Sequence, residues 1–328
     1  MDKKRLIVID GNAIVHRAYH ALPPLTTKKG ELVNAVYGFL LFFFKSLKEF
    51  KPDFIAATFD LPAPTFRHEK YKEYKAKRKK APDDLYPQIP KIKGILEKFG
   101  IQIFEKQGYE ADDVIGTISF LAQKDKDFKF VETIILSGDL DTLQLINKNT
   151  KVYALKRGIK DAVLYGEEKV KERYQGLGPK ELIDFKSLRG DPSDNIPGIL
   201  GIGEKTAISL LKEFGTLENL YKETEEHSEK ADKINGSLRK KLQEYKEKAL
   251  MSKMLARIEK NVPLPFDLGK CRWKDYDRQG VVKILEEYGF KSLVERLPGF
   301  DSSGQFLPEK TKEKKSRKET IKNNLSLW

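Results

Sequence analysis

Three short apolar runs, each closed by aspartate, constrain the fold of this chain more than any other feature. Leu6-Ile7-Val8-Ile9 ends at Asp10, and Phe54-Ile55-Ala56-Ala57-Thr58-Phe59 ends at Asp60. Thr133-Ile134-Ile135-Leu136 runs through Ser137-Gly138 to Asp139 and Asp141. Continuous apolar runs of this length read as strands buried on both faces. Between the first two, Val33, Val36, Tyr37, Leu40, Phe43, Phe44, Leu47 and Phe50 recur at three and four, which predicts a well-buried helix over 32–50. A helix over 92–99 and a short strand over 101–104 follow. Alternating strands and helices predict an α/β domain with a mostly parallel sheet. In open sheets of this kind ligands bind beyond the carboxyl ends of the strands, where these aspartates fall. A lone strand-end aspartate is usually a turn former. Its recurrence at one topological position points to a site.

A second acidic group reinforces the first. Gly108-Tyr109-Glu110-Ala111-Asp112-Asp113 precedes a helix-like apolar run through Val114, Ile115, Ile118 and Leu121. Glu110 and Asp113 are three apart and share a helix face, while Asp112 is rotated away. One acid would complement the helix dipole; three repel one another. With Asp191 and Asp194 as possible additions, the set is Asp10, Asp60, Glu110, Asp112, Asp113, Asp139, Asp141, Asp191 and Asp194. Two carboxylates 4 Å apart repel by about 4 kcal/mol at an effective dielectric of 20. Their convergence therefore requires protons or metal. Oxygen-only ligands select Mg²⁺ or Mn²⁺, and two such ions can drive phosphodiester hydrolysis.

The charge balance favours a polyanionic partner. The 328 residues carry a formal net charge of +13. Between 67 and 80 lie eight Lys and Arg, interleaved with Tyr71 and Tyr74. Such a segment can track phosphates and stack on unpaired bases. From about 165 onward helical spacing dominates, over 167–174, 179–188, 205–214, 238–258 and 278–288. Within that stretch, the turn at Gly198, Gly201 and Gly203, followed by Lys205 and Thr206, lets backbone N–H groups approach a phosphate. No strand precedes it, and Glu204 separates Gly203 from Lys205, so it is not a P-loop. A helix-hairpin-helix turn gripping a duplex backbone fits better. Cys271 is the single cysteine. That excludes an intramolecular disulfide and a thiolate zinc cluster and suits a reducing cytoplasm. The most apolar run, 36–44, is too short to span a membrane. His16 and His20 read as packing or surface residues, and the segment 310–324 has too few apolar residues to fold.

Together these residues resemble a known family. Val8-Ile9-Asp10-Gly11-Asn12, Phe59-Asp60, Thr65-Phe66-Arg67-His68-Glu69, the 108–113 segment, Ser137-Gly138-Asp139-Leu140-Asp141 and Gly190-Asp191-Pro192-Ser193-Asp194-Asn195-Ile196-Pro197-Gly198 resemble the 5′-nuclease domain of bacterial DNA polymerase I, of the flap-endonuclease family. The resemblance spans about 5–297. It implies a PIN-like nuclease domain over 1–165 with a helical arch near 66–85. It also implies a helical, SAM-like region over 166–297, with a helix-three-turn-helix near 185–215, and a basic tail over 298–328. All nine carboxylates match family positions as metal ligands. Lys75 and Arg78 are implied at the scissile strand, as catalytic and DNA-contacting residues. Arg67 and Tyr74 are implied on the arch or its base and Arg17 at the site entrance. Gly198, Gly201, Gly203, Lys205 and Thr206 are implied on the duplex, with K⁺ beside them. The implied activity is two-metal cleavage of DNA 5′ flaps, nicks and 5′ ends, with RNA-primer flaps, in replication and repair. A cytoplasmic, nucleoid-associated monomer is expected. The tail ending Leu-Ser-Leu-Trp reads as a natural terminus, so a free-standing nuclease is expected rather than a polymerase fragment. The alternatives are a non-catalytic nucleic-acid clamp and a PIN-like RNase.

Overall fold

The computed structural model describes residues 3–128, 130–274, 276–300 and 306–307. Six strands form the central sheet: β1 (Arg5–Asp10), β2 (Phe54–Thr58), β3 (Gln102–Phe104), β4 (Glu132–Ser137), β5 (Thr150–Leu155) and β6 (Ala162–Tyr165). Their spatial order is β3-β2-β1-β4-β5-β6. The first five are parallel and β6 returns antiparallel at the edge. The three aspartate-ended runs are therefore neighbours, with β1 between β2 and β4.

Alternation along these strands divides the core in two. Ile7, Ile9, Ile55, Ala57, Ile134 and Leu136 face one layer, built from α1 (Gly11–Ala21), α2 (Asn34–Phe50), α4 (Gln88–Lys98) and α13 (Arg278–Glu287). Leu6, Val8, Phe54, Ala56, Ile135 and Val152 face the other, where α5 (Ala111–Gln123) supplies Val114, Ile115 and Ile118. Burial on both faces explains the continuous apolar runs. The short α3 (Phe66–Lys70) precedes α4.

The expected helical arch is corrected here. After α3 the segment 71–87 proceeds through turns and extended residues until α4 begins. Tyr74 is buried, Lys75 takes a left-handed backbone at φ 57°, and Pro82 and Pro87 follow, so no continuous helix forms. Sequence periodicity also missed α1, β5 and β6.

Beyond α6 (Glu167–Arg173), α7 (Glu181–Arg189) and α8 (Glu204–Phe214) flank the glycine turn. Then come α9 (Leu217–Glu225), α10 (Glu229–Asp232), α11 (Gly236–Glu244) and α12 (Lys246–Ala256), with α14 (Lys291–Val294) after α13. The single helix expected over 238–258 is two, parted at Tyr245. A separate core of Phe185, Leu188, Ala207, Leu211, Phe214 and Leu217 holds this region. Gly299–Phe300 and Phe306–Leu307 pair as a small ladder. The segment expected to be unfolded, 310–324, lies outside the described residues.

Candidate active site

The carboxyl ends of β1, β2 and β4 open onto a cavity of about 480 Å³. Asp10 ends β1 and caps α1, its Oδ1 accepting from Ala13 N–H at 3.1 Å. Ser137, the last residue of β4, donates to Asp10 Oδ2 at 2.5 Å. Gly138 permits that approach: a Cβ there would stand 2.7 Å from the Ala13 carbonyl oxygen. Asp60, two residues past β2, accepts from Ala111 N–H at 2.7 Å, which docks the start of α5 on the cavity. Asp139 Oδ1 accepts from Asp141 N–H at 2.9 Å.

Seven of the nine expected carboxylates line this cavity: Asp10, Asp60, Glu110, Asp112, Asp139, Asp141 and Asp194. Crowding is visible in their acidity. Burial, reinforced by the charges of Asp139 and Asp60, pushes Asp10 up to about 7 despite its bonds from Ser137 and Ala13. Asp141 is likewise raised to about 7 by burial, with Lys186 opposing and Asp139 adding to the rise. Asp112 is raised well above the usual range, by burial first and then by Asp10, Asp139 and Asp141. Burial also raises Asp60.

Two expected ligands are placed elsewhere. Asp113 is fully buried and does not line the cavity. Arg67 Nη1 and Nη2 donate to its two oxygens at 2.7 Å each, and Glu110 N–H and Glu259 N–H add bonds at 3.0 and 2.8 Å. Its acceptor capacity goes to this inward network, so of the nine expected metal ligands Asp113 is one that faces away from the cavity. Asp191 also lies off the cavity wall and accepts from Lys186 Nζ at 2.7 Å. Burial would raise Asp191, but Lys186 and Ser193 hold it at about 2. Lys186 also pairs with Asp141 and so links Asp191 to the cavity.

The basic residues divide the same way. Lys75 Nζ reaches Glu110 Oε1 at 2.7 Å, and Arg78 pairs with Asp194. Burial alone would lower the Lys75 ammonium, but Glu110 and Asp194 raise it. Arg17 lines the cavity and donates to the Gly138 carbonyl at 2.9 Å. Arg67 and Tyr74 are only 2% and 3% exposed, which corrects their expected place on DNA. The Tyr74 hydroxyl lies 3.1 Å from both Glu110 Oε2 and Asp194 Oδ2, with its single proton shared between the two acceptors. Gly201, Gly203 and Lys205 are exposed and Thr206 half-buried on the α7–α8 turn, whereas Gly198 is buried. None of these five lines the carboxylate cavity.

Four lining residues with polar or charged side chains were not singled out for the site: His16, His20, Asn12 and Lys79. Asn12, His16 and His20 sit at helical spacing behind Asp10, a signal the sequence does contain. Burial, His20 and Arg78 lower the basicity of His16.

Hard cations fit this donor set. It is all carboxylate oxygen, and among the described residues no hydrogen bond or ion pair engages the Asp112 carboxylate. No three His, Cys, Asp or Glu side chains among the described residues stand close enough to clasp one ion by themselves. A divalent cation that keeps several of its waters and takes one or two carboxylates is compatible with that donor set.

Comparison with known proteins agrees with the fold. The family described as "5′-3′ exonuclease, N-terminal resolvase-like domain" matches residues 5–175, and "5′-3′ exonuclease, C-terminal SAM fold" matches 177–279. The chain belongs to the 5′-3′ exonuclease family. It is 43% identical over 303 residues to DNA polymerase I of Bacillus subtilis (strain 168), covering 92% of this chain and 33% of that protein. With DNA polymerase I of Caldicellulosiruptor bescii the identity is 43% over 297 residues, covering 89% and 33%. The chain thus spans about a third of the length of these relatives. The T5 D15 protein co-crystallized with metal ions shares the fold, with a TM-score of 0.60 and 19% identity over 77% of this chain and 89% of that one. Flap endonuclease-1 from Methanococcus jannaschii shares it with a TM-score of 0.55 and 19% identity, over 89% and 90%. Among the described residues no helix is long and apolar enough to cross a membrane.

Proposed function

We propose that this cavity hydrolyses DNA phosphodiesters at 5′ flaps, nicks and 5′ ends, in the 5′-to-3′ direction, with divalent cations and preferentially Mg²⁺. The observation that carries this reading is the convergence of seven carboxylates on one cavity rimmed by Arg17, Lys75, Arg78 and Lys79. Asp10, Asp60, Asp112, Asp139 and Asp141 would hold the ions. Bound there, divalent cations supply an activated water and neutralise the leaving oxygen.

The chain's own groups do the rest. Lys75 and Arg78 present positive charge where a phosphate would enter, and stabilise charge developing on its oxygens. Tyr74 orients Glu110 and Asp194 from below and keeps water out. Arg17 and Lys79 draw the strand in electrostatically. The exposed residues of the Gly198–Gly203 turn, Leu200, Gly201 and Gly203, offer backbone N–H groups to the phosphates of the adjoining duplex, the place for a K⁺ ion. RNA-primer flaps carry the same phosphates and are accepted in this reading, by a monomer in the cytoplasm.

The test uses end-labelled 5′-flap, nicked-duplex and single-stranded substrates with Mg²⁺, Mn²⁺ or EDTA. Cleavage near the flap junction, abolished by EDTA, is expected. Metal-independent cleavage, or none on any 5′-ended substrate, overturns the proposal.

A further inference from the structure

We infer that Arg67 is a positioning residue that fixes where the proposed nuclease cuts, by tying the duplex-gripping turn to the catalytic carboxylates through one buried stretch of backbone. The inference rests on the nuclease reading above and adds to it the origin of the cleavage position.

The tie begins at the glycine turn. Gly198 N–H donates to Ser252 Oγ at 3.0 Å, and Ser252, on α12, is wholly buried. Three residues further along, the Leu255 carbonyl accepts from Arg67 Nε at 2.9 Å, and the Arg257 carbonyl accepts from Nη2 at 2.6 Å. The remaining guanidinium donors go to Asp113, at 2.7 Å twice, and to Glu110 at 3.5 Å. All five N–H donors of Arg67 are thereby engaged in a fixed planar fork.

The far side is clamped independently. Gln144, three residues past Asp141, donates to the Ala256 carbonyl and accepts from Ile258 N–H, both at 3.0 Å. Glu259 N–H closes the stretch on Asp113. The backbone over 252–259 is therefore held at one end by the turn and at the other by Asp113 and Gln144, which lie behind the cavity beside its lining residues Asp112 and Asp141. The distance between the gripped duplex and the reacting phosphate follows from this tie. A displacement of ~1 Å at the reacting groups costs on the order of 10²-fold in rate. A loosened tie therefore shifts cutting to neighbouring phosphates as well as slowing it.

Arg67→Lys and Ser252→Ala test the two ends separately. Lysine keeps the charge but cannot serve two carbonyls and a bidentate carboxylate; alanine at 252 frees the turn and leaves Arg67 intact. Products from a single-flap substrate are sized at nucleotide resolution under single turnover with Mg²⁺, on variants whose fold is checked by circular dichroism. The wild type is expected to give one dominant product, and both variants a spread over adjacent positions. A change of rate with an unchanged product distribution in the folded variants overturns the tie. Should Arg67→Lys fail to fold, Ser252→Ala alone decides by the same criterion. A wild type that cuts no 5′-ended substrate overturns the nuclease reading, and this inference with it.

Discussion

Lys75 Nζ lies 2.7 Å from Glu110 Oε1, while the lysine's own N–H donates to the Asp194 carbonyl at 2.9 Å. The backbone bond holds the residue in place without the side chain. Lys75→Ala should therefore fold normally and keep most of its DNA affinity. It should lose about 10²-fold or more in single-turnover rate, the scale for removing one preorganised donor. Titrating flap DNA alongside that rate checks it; an unchanged rate would remove Lys75 from the chemistry.

Asp112 and Asp113 are neighbours with opposite roles. Asp113 accepts four hydrogen bonds in full burial, and Asn there would turn an NH₂ toward the Arg67 donors. Breaking a buried pair in this way costs about 3–5 kcal/mol. Asp112 repels Asp10, Asp139 and Asp141, so Asp112→Asn should leave the metal-free fold as stable or more so, and remove turnover. Urea unfolding and single-turnover kinetics on both variants separate the roles. A destabilised Asp112→Asn beside a stable, inactive Asp113→Asn would reverse the assignment.

What sequence could and could not convey follows from the same geometry. Asp10, Asp60 and Asp139 were legible because a parallel strand buried on both faces is a continuous apolar run, and the residues past its end face the crevice. Glu110 and Asp112 were legible as excess acid at a helix start. The fate of Arg67, Tyr74 and Asp113 was not. Helical spacing gives a shared face but not which distant segment covers it, and the cover here comes from 255–259, between 146 and 190 residues away. Lys186 escaped notice because one lysine in a charged helix carries no signal until the fold brings Asp141 beside it.

Asp10 and Asp141, both raised to about 7, make cation binding compete with protons. In the unfolded chain these carboxyls ionise near 3.9. Between about 4 and about 7 the folded, metal-free protein thus keeps protons that the unfolded chain has released. Stability from these two groups is greatest below that window and is lost as pH rises through it. Divalent cations bind the ionised form and stabilise by mass action. The gain in Tm on adding Mg²⁺ should therefore be small at pH 5.5 and larger at pH 8. Thermal unfolding with Mg²⁺ or EDTA at both pH values tests this; equal gains would mean that these carboxylates do not hold the ion.

Gly198 and Gly203 lie on the same turn but are constrained differently. Gly198 has φ +60°, and a Cβ there would stand 2.2 Å from the Gly190 backbone nitrogen. The two arms of the turn touch backbone to backbone, which no other side chain permits. Gly203 has φ −91°, and a Cβ there would meet nothing within 4 Å. Gly198→Ala should lose at least about 1–3 kcal/mol from the left-handed backbone alone, and weaken duplex binding because the turn must open. Gly203→Ala forfeits only a favourable helix cap and should stay within about 1 kcal/mol of the parent. Urea midpoints and duplex titrations on the two variants give the comparison. Equal losses would mean that the turn is held by its helices rather than by the glycine contact.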